Sequence, residues 1–181
     1  MDAALDRWRA SRSKADATKA QRLAGGLMLL ASLGEVKGFI GRGVATDGRS
    51  HYPMGSDDQT LPWFYGLWRY LESGLPDAGE RARIAAKLRE VAEEVLRLDW
   101  DLPAEPPFNT RGCFREFLFY QAPRLLFVAK MMSRLSGDPR WESTYRSALD
   151  ERGGPDNASR LELCERGMVY DHGGVARRHS W

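Results

Sequence analysis

Between residues 38 and 68 the chain reads GFIGRGVATDGRSHYPMGSDDQTLPWFYGLW, and most of the side chains able to do chemistry lie in or near this passage. Asp57 and Asp58 are candidate catalytic carboxylates. Glycoside hydrolysis ordinarily uses two carboxyl groups on opposite sides of the scissile bond, roughly 5 to 10 Å apart. Two adjacent aspartates at one helix end do not supply that separation, so Asp58 needs a distant partner, for which Glu116 and Asp47 are candidates. The plainer reading has one aspartate capping a helix and the other solvated. His51 and Tyr52 are residue types suited to β-elimination beside a uronate carboxylate, which takes a base, an acid and charge neutralisation. Asn109 and Arg111 complete that set, although a His-Tyr pair in a loop is more often a packing feature. Arg42 and Arg111 suit acidic sugars, and Gln59 adds a hydrogen-bonding edge. Trp63, beside Pro62, and Tyr120 offer aromatic faces to the C–H-rich face of a pyranose ring.

These residues need elements to hold them, and helical periodicity is nearly everywhere. Apolar residues Leu5, Trp8, Leu23, Leu27 and Leu30 predict a helical segment over residues 3–33, weakest near residues 11–18 and closed by Gly34. A second helix starts at Ser56 or Asp57. Its Phe64, Trp68 and Leu71 suit a core face, while Trp63 and Tyr70 lean elsewhere. Asp77 opens a third, with Ile84, Leu88, Val91, Val95 and Leu98 as its stripe. Beyond the link DLPAEPPFNTRG a helix is predicted over residues 114–135, in which Pro123 marks either a kink or a fresh start. Further helices follow over residues 141–149 and 158–166, and the tail GMVYDHGGVARRHSW has no convincing period. No stretch shows sustained β alternation, so the expected class is all-α.

Composition bounds the function. The chain has 181 residues, 43% hydrophobic and 29% charged, which suits one globular domain rather than a disordered chain. A net charge of +2 with arginines interspersed among acids gives no basic stripe for nucleic acid. No apolar run approaches the ~20 residues of a membrane span. Cys113 and Cys164 are isolated, and the three histidines are scattered, so neither a metal site nor a cofactor is expected. Free thiols and a polar N-terminus favour a cytoplasmic setting. There is no phosphate loop, HExxH or GxSxG, and GFIGRG lacks the preceding strand of a nucleotide site.

The links YLESGLPD and MSRLSGDPRW each join two helices through Ser-Gly, one variable residue and Pro. With the longer connections between them, they predict an array of antiparallel helical hairpins. That alternation, the SGDPRW turn and the passage GRG…DGRSHYPMGSDDQT…GLWRY resemble the carbohydrate-active (α/α) toroids. These include unsaturated glucuronyl hydrolases, N-acylglucosamine epimerase-like proteins and the helical domains of polysaccharide lyases. The resemblance is architectural over about residues 20–181 and at motif level over residues 38–70. It implies a partial (α/α)6 toroid, because the chain supplies about six helices where a complete one has about twelve. Residues 1–181 then form a single helical domain, or a fragment of a longer toroid, completed by further chain or by a homo-oligomer. It also implies an oligosaccharide or polysaccharide substrate, with Asp57 or Asp58 as acid/base in a hydrolase, or a lyase acting on acidic oligosaccharides. The alternative is a non-catalytic helical module that binds a sugar or a protein.

Overall fold

The computed structural model of the chain describes residues 1–117, 121–166, 168–172 and 175–179. Among the described residues there are seven α-helices, and the chain is mostly helical, as its periodicity predicts. They are α1 (Asp2–Ser11), α2 (Lys14–Leu30), α3 (Asp57–Glu72), α4 (Ala78–Arg97), α5 (Ala122–Ser136), α6 (Pro139–Asp150) and α7 (Arg160–Arg166). Two small sheets accompany them. Strand β1 (Asp101–Pro103) pairs with β2 (Thr110–Cys113), and β3 (Met168–His172) pairs antiparallel with β4 (Val175–His179), from Met168 opposite His179 to His172 opposite Val175. The second pair gives regular structure to residues 168–172 and 175–179, where the sequence shows no convincing period. The chain divides into two compact units, Met1–Gly112 and Cys113–Trp181.

In the first unit, the helix expected over residues 3–33 is two helices. Arg12 takes a left-handed conformation (φ 53°) and ends α1, and the Ser13 hydroxyl accepts the Asp16 amide to start α2. That break falls in the weakly apolar stretch, where nothing on the sequence's buried face resists it. Helix α3 starts where predicted, at Asp57. Its core face differs from the expectation: Trp63, Phe64, Leu67, Tyr70 and Leu71 are buried, while Trp68 is half-buried. The spacing explains this, because Trp63, Leu67 and Tyr70 follow i, i+4, i+7 and fall on one side at 100° per residue. Asp77 caps α4 through its carboxylate, which accepts the Glu80 amide at 2.7 Å. Ile84, Leu88, Val91 and Val95 form the buried stripe of α4 as predicted. Consecutive helices pack on one another, α1 on α2, α2 on α3 and α3 on α4, and α1 also reaches α3.

The second unit is built on α5, α6 and α7, which pack pairwise. Pro123 lies at the very start of α5 rather than inside a helix, so the fresh start is the correct alternative and residues 114–117 are not helical. Its fixed φ and missing N–H suit a first turn. Gly137 (φ 67°) closes α5, and Asp138 caps α6 by accepting the Arg140 amide. SGDPRW is therefore a helix–turn–helix link, as expected. Arg160 is fully buried. Its guanidinium donates to Glu151 at 3.0 Å, to the Glu116 carbonyl at 3.0 Å and to the Arg115 carbonyl, and lies 4.0 Å from the centre of the Phe117 ring. A fork of donors matched to a carboxylate and two carbonyls makes that charge tolerable inside protein.

Candidate functional site

A cleft of about 580 Å³ opens in the first unit. One wall is the first turns of α3, where Asp58, Gln59, Pro62, Trp63 and Gly66 line it. Residues 58, 62 and 66 recur at intervals of four and so share a helix face. Leu27 and Leu30 of α2 and Ile40 of the connection supply apolar surface, Arg42 follows from the same connection, and Asp2 of α1 and Tyr65 close the rim.

The long connection from α2 to α3 is held by close backbone approaches. The Gly41 amide donates to the Leu30 carbonyl at 2.9 Å, which satisfies one of the free carbonyls at the end of α2. A side chain at Gly55 would place its Cβ 2.7 Å from the Ile40 carbonyl oxygen, so the two arms of the connection can meet only with glycine there. Trp63 Nε1 donates to the Leu27 carbonyl at 2.7 Å, another of the last-turn carbonyls of α2. This contact explains why Trp63 is 1% exposed. Its ring forms part of the cleft wall and does not stand out as an open stacking shelf.

The charges of the cleft differ in how far they are already satisfied. Asp2 Oδ1 accepts from Arg69 Nε at 3.1 Å, and Asp2 Oδ2 accepts from the Tyr65 hydroxyl at 2.8 Å. Burial works against ionisation of Asp2, but the Tyr65 hydroxyl and the Arg69 guanidinium together hold its carboxyl below the usual range. Arg42 donates through Nε to the Gly55 carbonyl at 3.3 Å. Among the described residues no acid pairs with Arg42 and no donor or cation is paired with the Asp58 carboxylate. Pro62 has no N–H, so the Asp58 carbonyl also lacks its usual helical donor. Among the described residues, the cleft thus offers the Arg42 guanidinium, bonded to a carbonyl but to no acid, and a cluster of acceptors above an apolar floor.

Of the residues expected to do chemistry, the cleft brings together Arg42, Asp58, Gln59 and Trp63. Asp57 sits at the start of α3, close against Gly112, and accepts the Asp58 amide at 3.0 Å. His51 is engaged elsewhere: Nδ1 lies 2.9 Å from the Arg49 carbonyl and Nε2 lies 2.7 Å from the Glu105 carboxylate. With both ring nitrogens occupied, it has none free to take a proton from a substrate. Tyr52, its neighbour, is 54% exposed. Asn109 and Arg111 are exposed beside and within β2, where the Asn109 carbonyl accepts the Ala104 amide at 3.1 Å. The Asp47 carboxylate accepts the Ser50 hydroxyl and the Arg49 and Ser50 amides. Led by the hydroxyl, these donors bring its pKa down to about 2, which marks a turn-forming role. Glu116, the other partner considered for Asp58, belongs to the second unit, where its carbonyl accepts from Arg160. Tyr120 lies outside the described residues.

Sequence reasoning missed Asp2, Tyr65 and Glu105. Asp2 and Tyr65 are 63 positions apart and meet only through the packing of α1 on α3. Glu105 carries the one available signal, as the lone acid within the proline-rich run LPAEPP. Among the described residues no group of His, Cys, Asp or Glu is placed to hold a metal ion, and no helix is long and apolar enough to cross a membrane. No protein-family model matches the chain, and neither do any of the curated proteins or solved structures at a significant level.

Proposed function

We propose that the cleft binds an acidic saccharide. The observation that carries this reading is the set of charged and polar groups at one opening, among them an Arg42 with no acidic partner and an Asp58 with no donor among the described residues. Arg42 takes the sugar carboxylate, and Asp58 and Gln59 take hydroxyl groups. Leu30, Ile40 and Pro62 lie against the apolar ring face. Carboxylate recognition by a guanidinium is directional and charge-assisted, and the unmatched acceptors of Asp58 favour a ligand rich in O–H donors. An (α/α) toroid-like array, of which α1 to α4 form the cleft-bearing part, is the architectural half of the same proposal. It is supported by the sequential packing of these helices.

A hydrolytic role is a second reading, favoured by the presence of two carboxylates, Asp2 and Asp58, in one cleft. Asp2 is held in place by Tyr65 and Arg69, which leaves Asp58, with no donor paired to it among the described residues, as the carboxylate placed to act on a bound sugar.

Calorimetric titration against neutral and uronate-containing oligosaccharides tests the proposal. The expected result is binding of uronates over neutral sugars, weakened roughly tenfold in Arg42→Gln by loss of one charge-assisted contact. A folded chain that binds no member of the panel overturns it. Turnover of a bound glycan, abolished in Asp58→Asn, separates the enzyme from the binding module.

A further inference from the structure

We infer that His51 and Glu105 form a proton-held clamp that regulates the cleft by fixing the connection that carries Ile40, Gly41 and Arg42. The regulatory role rests on the reading of that cleft as the functional site; the clamp itself does not. Both nitrogens of His51 face oxygen acceptors, the Arg49 carbonyl at Nδ1 and the Glu105 carboxylate at Nε2. A neutral imidazole has a single N–H, so beside an ionised Glu105 one of these contacts would set lone pair against lone pair. One additional proton resolves this, whether it is drawn on the imidazole or on the carboxyl group.

The same carboxylate ties down a third segment. Glu105 Oε1 accepts the Glu35 amide at 3.2 Å, and the Glu105 amide donates to the Pro53 carbonyl at 2.8 Å. Residues 35, 51 to 53 and 105 thus converge on one pair of side chains, each mostly shielded from solvent. The Phe39 ring, tilted 40° with its centre 5.7 Å from that of His51, covers the pair and is directly followed by Ile40 of the cleft. Among the described residues Glu105 is the titratable group that faces the imidazole. Asp47, in the same turn, is held by Ser50 and by the Arg49 amide, and Glu35 contributes its backbone.

The direction of the switch follows. The Arg49 carbonyl raises the His51 pKa above its ordinary 6.5; burial opposes this, and Glu105 adds to it. A group whose folded pKa is raised stabilises the folded arrangement below its unfolded value. That contribution is lost as pH rises through the raised one. The clamp is therefore closed on the acid side and released as pH rises through the raised His51 pKa, and the affinity of the cleft falls as it opens.

The test is an NMR titration of the His51 ring in the full chain, followed with the exchange rate of the Glu35 amide and the Arg42 Nε–H resonance. No ligand is required. The expected result is a His51 midpoint above 6.5, with the Arg42 signal moving at the same midpoint. Glu35 exchange should also accelerate beyond that of a control amide such as Val91. In Glu105→Gln the His51 midpoint falls and the Arg42 transition follows it. In His51→Phe the Arg42 signal is flat across the neutral range. A His51 midpoint at or below its ordinary value, or an Arg42 signal that ignores it, overturns the clamp even if saccharides bind. A glycan screen without a hit removes the saccharide reading and leaves the titration to decide the clamp.

Discussion

At the scale of single residues, the cleft is assembled from side chains that also finish off the protein's own backbone. Trp63 illustrates this: its indole N–H supplies the donor that the Leu27 carbonyl lacks at the end of α2, and its ring forms part of the cleft wall. Trp63→Phe keeps most of the buried ring and removes the donor. The expected cost is about 1–2 kcal/mol, that of an unsatisfied buried carbonyl, read as a lower urea midpoint with unchanged slope. A loss within a few tenths of a kcal/mol would mean that solvent reaches that carbonyl. His51 carries the complementary lesson. Its residue type suggests a catalytic base, yet its surroundings spend both nitrogens on structure. Only the position of Glu105, 54 residues away, decides between the two roles.

At the scale of elements, local start signals explain why α3 and α4 were legible and other segments were not: two aspartates open the first turn of α3, and a cap opens α4. Asp77 is a strong local start signal, and Asp77→Ala should cost about 1 kcal/mol through loss of the contact to the Glu80 amide. Chemical denaturation measures it, and an unchanged midpoint would show that α4 is held by packing alone. Ser56–Asp57 and Gly137–Asp138 mark other boundaries equally locally. The division of α1 from α2 depends on a left-handed Arg12, a conformation no periodicity announces. Strands β1 and β2 are three and four residues long, too short for an alternating pattern to register. Pairing of β3 with β4 depends on their partnership rather than on either segment's own sequence. Of the cleft, the residues within one polar passage could be read directly. Asp2 and Tyr65 could not, because their contact arises from packing between helices far apart in the chain.

At the scale of the whole molecule, the chain carries its cleft entirely within Met1–Gly112. The helices α1 to α4 supply a buried core that includes Leu5, Phe64, Leu67, Leu71, Ile84 and Leu88. A segment of about a hundred residues is long enough to sustain such a core. Residues 1–112 expressed alone are therefore expected to unfold cooperatively and to retain the Trp63 indole resonance of the full chain. A molten or aggregating product would show that this unit needs the rest of the chain. The convergence on Glu105 has a further consequence, for the order of assembly. Its contacts to Glu35 and His51 close separations of 70 and 54 residues, whereas each helix is built from neighbours four apart. Distant closures carry the larger entropy cost, so the helices are positioned to form first and the convergence on Glu105 last. What is completed last in folding is also what can reopen without undoing the remainder. The connection around Glu105 can therefore open while α1 to α4 stay formed, reversing only the final step of the protein's own construction.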